Sequence, residues 1–89
     1  MDTVKDRMAE VAALQAKRTA MVRHATELSD ERAALVFEAR CCYEPGANVR
    51  LGEINAALAL HHAELHSVDC ALNEAAKRLA LAQQREFAT

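Results

Sequence analysis

The sequence predicts an all-α fold, an antiparallel two-helix coiled-coil hairpin that assembles into a dimeric four-helix bundle. Three observations predict it. The 89 residues include only two glycines and one proline, which leaves little material for turns. Apolar residues recur at steps of three and four along both halves of the chain, as they do on one face of a helix. Pro45 and Gly46 lie together near the middle, where a two-helix chain would reverse.

The first half carries a heptad seam that predicts a helix over about residues 3–43. Ser29, Asp30 and Glu31 resemble a helix start, because a serine cap is followed by acids. A third helix beginning there is therefore the alternative. We expect one continuous helix instead, because the seam keeps its spacing through these residues. Its members are Val4, Arg7, Val11, Leu14, Arg18, Met21, Ala25, Leu28, Arg32, Leu35, Ala39 and Cys42.

A turn over about residues 44–48 and a second helix over about 49–86 follow. Proline disfavours helix in the residue before it, and Asn48 can cap the next helix through its side chain. The second seam has no skip. Its members are Leu51, Ile54, Leu58, His61, Leu65, Val68, Leu72, Ala75, Leu79 and Ala82.

The short turn predicts that the two helices run antiparallel and pair seam to seam. Folding the chain about residues 46–47 brings residues whose numbers add to about 93 to one level. Leu28 then lies near Leu65, and His61 lies level with Arg32. We therefore expect residues 1–89 to form a single helical-hairpin domain.

Apolar residues outside the two seams predict a second buried face. Alanine alone is explained by helix propensity, but large side chains are not. A second copy of the chain would cover them. The predicted interface residues are Phe37, Leu60, Leu81, Ala13 and Ala20.

The charge distribution favours an antiparallel homodimer. Residues 26–67, around the turn, hold seven acids and three bases, a net charge of −4. The remaining residues hold six acids and eight bases, a net charge of +2. Hairpins packed head to tail would set each acidic half beside a basic half, and complementary charge fixes orientation more than affinity.

His61 and Arg32 are polar members of the two seams, and polar seam residues often fix register or oligomeric state. The alternative is that Arg32 lays its stem along the seam with its head in water, while His61 is a neutral core residue. Cys42 is expected to be a small core residue near the turn. The three cysteines match no disulfide framework and no metal-ligand spacing.

A weak metal-site candidate lies on one side of helix 2. His62, His66 and Asp69 share that side, and the fold-back brings His24 level with Asp69. Imidazole and carboxylate groups can bind zinc. A solvated polar face explains the same residues, so we expect no metal and no cofactor.

The sequence predicts a structural or adaptor module that binds itself or another helical protein. We expect no catalysis, because no nucleophile has a base in a recognisable arrangement and no glycine loop could cradle phosphate. The apolar runs are far shorter than the ~20 residues of a membrane span, and three cysteines without a framework favour the cytoplasm.

Nucleic-acid binding is the main functional alternative, although a net charge of −2 argues against it. Basic residues gather in the half away from the turn, namely Lys17, Arg18, Arg23, Lys77, Arg78 and Arg85. With its hairpin and heptads, the layout resembles that of the Rop family of plasmid copy-number regulators. That resemblance implies a small dimer that binds paired RNA loops, and it carries over no contacting residue.

Overall fold

The structure, a computed structural model, describes residues 3–42 and 44–88 as an elongated hairpin of two long helices. Helix α1 spans Val4–Phe37 and continues into a π-helical stretch, Glu38–Cys42. Helix α2 spans Pro45–Ala88 and packs along α1. The described residues contain no strand and extend over 69 × 16 × 15 Å. The predicted all-α hairpin is confirmed.

Helix α1 is continuous, as predicted. Thr3 caps it, since its Oγ1 accepts a hydrogen bond from the backbone N–H of Asp6 at 3.2 Å. The helix passes through Ser29 without a break, so the three-helix alternative is wrong. The buried Leu28 and half-buried Leu35 hold the segment against α2 on both sides of the suspected cap, and this packing outweighs the local cap signal.

Helix α2 begins earlier than predicted, at Pro45. Proline suits the first helical position, because its missing N–H would have no partner there and its φ is already helical. The backbone N–H of Ala47 donates to the carbonyl of Glu44 at 3.1 Å. Asn48 therefore lies inside the helix, and both the predicted turn over 44–48 and the predicted Asn48 cap are wrong. Residue 43, predicted to end helix 1, lies outside the described residues.

The earlier start of α2 changes the register of the hairpin. Leu28 packs with Leu58 in the core cluster, the His24 ring contacts the His61 ring, and Arg18 pairs with Asp69. Their numbers add to 86, 85 and 87, about seven less than predicted. A shift of seven is one heptad, so seam still meets seam. The predicted levels of Arg32 with His61, Leu28 with Leu65 and His24 with Asp69 are therefore wrong.

The core is a single line of side chains between the helices. Ile54 has no exposed surface, and it clusters with Leu28 and Leu58. All the predicted seam residues of α2 are buried or half-buried. Along the first seam, Arg18, Arg32 and Cys42 are exposed while the other seam residues are buried or half-buried. Cys42 was predicted to lie in the core. The extra residue per turn of the π-helical stretch moves it off the seam.

Candidate functional site: the two flanks of the hairpin

The seam divides the surface of the hairpin into two flanks of different chemistry. The charged flank includes Glu10, Lys17 and Glu31 of α1 together with Arg50 and Arg78 of α2. Grooves on this side are lined jointly by Glu10 and Arg78, and by Lys17 with Glu64. On the opposite side a groove is lined by Val36 and Asn48. Antiparallel packing thus places matching heptad positions of the two helices on the same flank.

The opposite side, which we call the uncharged flank, carries no charged residue of α1 between Met8 and Val36. Its large apolar members are exposed, and Val22 at the centre is 38% exposed. On α1 the flank consists of Met8, Ala12, Gln15, Thr19, Val22, Thr26, Ser29, Ala33 and Val36. On α2 it consists of Asn48, Gly52, Asn55, Ala59, His62, His66, Asp69, Asn73, Ala76, Ala80 and Gln83.

Between Asn48 and Gln83, Asp69 is the one carboxylate of the uncharged flank, and it forms an ion pair within the hairpin. Arg18 Nε donates to Asp69 Oδ1 at 2.7 Å. Arg18 occupies a seam position, yet its side chain is exposed and reaches across to α2. The pair leaves this flank without net charge, so a partner that covers it would meet a paired, hydrogen-bonded carboxylate rather than an isolated one.

The charged flank holds a second cross-helix ion pair. Arg50 donates to both carboxylate oxygens of Glu31, at 2.6 and 3.0 Å, and to Glu53 at 3.1 Å. Hydrogen bonding by Arg50 lowers the pKa of the Glu31 carboxyl, and hydrogen bonding to Glu31 and Glu53 raises the pKa of Arg50. The two hydrogen bonds to Glu31 form a bidentate pair that links α2 to α1 near the turn, between side chains that are both partly exposed.

The two proposed register residues have different surroundings. The His61 ring lies edge to face with the His24 ring, with centroids 4.8 Å apart. His61 Nδ1 is buried, and no described residue forms a hydrogen bond with it. Arg32 is exposed, as the alternative with its head in water requires. A role of His61 in fixing register stays a prediction.

The five predicted interface residues are all exposed, as contact with a second copy of the chain would require. Leu60, 62% exposed, shares the charged flank with Leu81, Ala13 and Ala20. Phe37 lies on the outer side of α1, away from α2. Because charged side chains separate these residues, they form no continuous apolar stripe. Their role at an interface stays a prediction.

The predicted metal candidates do not come together within one chain. His62 and His66 lie one turn apart on the uncharged flank, Asp69 binds Arg18, and His24 lies on the other flank. In the described part of the chain, no group of three or more histidine, cysteine or acidic residues could hold a metal ion. Cys70 places a thiol beside this pair, since its Sγ lies 3.8 Å from His66 Nε2.

The basic residues of the open half are partly engaged with carboxylates. Arg18 pairs with Asp69, and Arg78 lies 3.5 Å from Glu74. Nucleic-acid binding thus gains no additional support from the geometry.

All three cysteines are free and exposed.

The difference between the flanks was missed by the sequence reasoning, which sorted residues by size alone. The signal was present in the heptads. Arg7 and the seam residues at every seventh position after it are each followed by an uncharged residue. These followers form a column that includes Met8, Val22 and Val36.

Comparison with protein-family models, with curated proteins and with solved structures found no match for the chain. Within the described residues, no helix is both long and apolar enough to cross a membrane.

Proposed function

We propose that this chain is a self-associating structural module whose hairpins pair head to tail into a homodimeric four-helix bundle. The contact surface is the uncharged flank. The observation that carries the proposal is that the α1 residues of this flank, from Met8 to Val36, include no charged side chain and lie along an exposed side of the hairpin. At 1.5 Å per residue this stripe is about 40 Å long. Charged residues are depleted in the centres of protein–protein interfaces, so an exposed stripe without charge suits a contact surface.

The stripe is also self-complementary about Val22. In a symmetric antiparallel pair, each residue meets one whose number makes the sum about 44 or 45, which matches like with like. Such matching is what a two-fold interface requires, because both copies use the same patch. The pairs are Met8 with Val36, Ala12 with Ala33, Gln15 with Ser29, Thr19 with Thr26, and Val22 with itself.

The hairpin exposes more surface than a compact monomer of its mass, which leaves one side free for a second copy to cover. Its accessible surface is 6526 Å², against about 5,200 Å² for a compact monomer of 9.8 kDa. Over the about 40 Å of the stripe, a side 16 Å wide offers roughly 640 Å². Two such sides would bury about 1,300 Å² in total, within the range of about 1,200–2,000 Å² for stable interfaces.

The charge distribution supports the head-to-tail orientation. The turn half of the hairpin has a net charge of −4 and the open half a net charge of +2. Head-to-tail packing sets opposite halves side by side, whereas parallel packing stacks like on like.

The exposed free cysteines favour a reducing compartment such as the cytoplasm.

The test is the mass of the full chain in solution, measured by sedimentation equilibrium at micromolar concentration. We expect a dimer for the wild type and a monomer for Val22→Glu, which would place two glutamates together on the two-fold axis. Leu60→Glu is the matched control and also tests the interface predicted from the sequence, because Leu60 is a large exposed residue on the charged flank, outside the contact surface proposed here. We expect it to remain a dimer, and circular dichroism verifies that both variants stay helical.

The two variants separate the possible failures. A monomeric wild type would overturn self-association altogether. Dissociation by Leu60→Glu but not by Val22→Glu would move the contact to the charged flank. Orientation has its own test, since Val22→Cys in a background without the native cysteines should form a disulfide between two copies only in the head-to-tail dimer.

A further inference from the structure

We infer that the dimer binds a divalent transition metal on its two-fold axis, held by His62 and His66 of both copies. The inference rests on the proposed head-to-tail dimer, and it is carried by a coincidence of position. The two-fold axis, located from α1 alone, falls at the level where α2 carries its pair of adjacent-turn histidines.

The level of the axis on α2 follows from the register of the hairpin. Cross-helix neighbours have numbers that add to about 86, as the Leu28–Leu58 and His24–His61 contacts show. Val22, at the centre of the uncharged stripe of α1, is therefore level with residue 64 of α2. His62 and His66 lie equally far on either side of that residue. No α2 residue was used to locate the stripe, so the agreement is independent.

The symmetry of the dimer then brings four histidines together. A two-fold axis that reverses the hairpin places α1 over α1 and α2 over α2 of the second copy. Residues of α2 whose numbers add to about 128 face each other, so His62 faces His66 of the second copy and the reverse. The flanking pairs oppose no like charges, since the one carboxylate faces an alanine: Asn55 with Asn73, Ala59 with Asp69, and Gly52 with Ala76.

Four imidazoles are a suitable ligand set for zinc and for neighbouring divalent metals such as cobalt or nickel. Two histidines four residues apart on one helix can bind a single zinc ion, because they share a face one turn apart. One chain supplies only two such ligands here, in keeping with the absence of a larger ligand group within the described residues. The site is complete only when the second copy is present.

The surroundings of the histidines are consistent with an all-nitrogen site. Asp69, the nearest carboxylate on the flank, is engaged by Arg18. Cys70 is the competing ligand, because its Sγ lies 3.8 Å from His66 Nε2. Binding through that nitrogen would displace the thiol contact. Closure by four protein ligands indicates a structural site that strengthens the dimer rather than an open catalytic one.

The experiment titrates the full chain with zinc chloride and measures metal content, mass and dimer dissociation. We expect one zinc per two chains and a dimer dissociation constant lowered at least about tenfold, since the metal binds only the dimer. His62→Ala and His66→Ala each remove two of the four ligands and should abolish the zinc effect, measured for each variant against its own metal-free dimer dissociation constant. His24→Ala is the matched control, because His24 is an exposed histidine on the other flank. This variant should change neither the zinc content nor the effect of zinc on dimer dissociation.

The outcomes distinguish this inference from the proposed function. A wild-type dimer whose affinity zinc does not change overturns the metal site and leaves the dimer standing. A chain that stays monomeric with and without zinc overturns both. One zinc per monomer, or a thiolate charge-transfer band in the cobalt-substituted protein, would place the metal on Cys70 and refute the four-histidine site.

Discussion

Replacing Ile54 with alanine is the most direct test of what holds the hairpin together. Ile54 is the one large side chain of the described residues with 0% exposure, and it belongs to one buried cluster with Leu28 and Leu58. The substitution removes three carbon atoms, worth about 2.4 kcal/mol at ~0.8 kcal/mol each. A two-helix hairpin has no second layer, so its neighbours can close over part of the cavity. We therefore expect a loss of about 2.5–3 kcal/mol, near the lower end of buried truncations.

Leu60→Ala is the matched comparison, because it removes the same number of carbons from a side chain that is 62% exposed. The expected loss is below about 1 kcal/mol, since only the buried remainder contributes and alanine has the better helix propensity. Urea unfolding followed by circular dichroism measures both, at one chain concentration because dimer formation adds to apparent stability. Equal losses, or a loss below about 1 kcal/mol for Ile54→Ala, would refute the seam as the source of stability.

Three further outcomes are expected. The pKa of Glu31 is lowered in the folded state by Arg50, so their pairing stabilises the hairpin above the unfolded carboxyl pKa of about 4.3 and is lost as pH falls through the lower folded value. Glu31→Gln should therefore reduce the urea midpoint at neutral pH, and a difference that persists in strong acid would contradict this. His61→Leu should raise the melting temperature, since it removes a buried nitrogen with no described hydrogen-bond partner, whereas a fall would support a register role. Gly52→Ala should raise the free energy of unfolding by roughly 0.5–1 kcal/mol, because alanine has the better helix propensity and the added Cβ meets nothing within 4 Å. A weaker dimer for that variant would show close backbone approach on the uncharged flank.

The sequence was sufficient to predict two helices and their buried sides. The steps of three and four from Leu51 to Ala82 are a local property of the chain. Every seam residue that they pick out is buried or half-buried. The continuity of α1 through Ser29 followed from the same spacing. Periodicity predicts burial well, because a helix turns by a fixed angle per residue whatever it packs against.

Only the tertiary structure decided which residues of the two helices meet. A heptad repeat looks the same after a shift of seven, so seam matching cannot distinguish a register of 93 from one of 86. The start of α2 at Pro45 makes the choice, and it places His61 against His24 rather than level with Arg32. The same pairing aligns the columns beside the seams and so creates one charged flank and one uncharged flank. It also sets Val22 level with the midpoint of His62 and His66, a relation between distant residues that no local pattern contains.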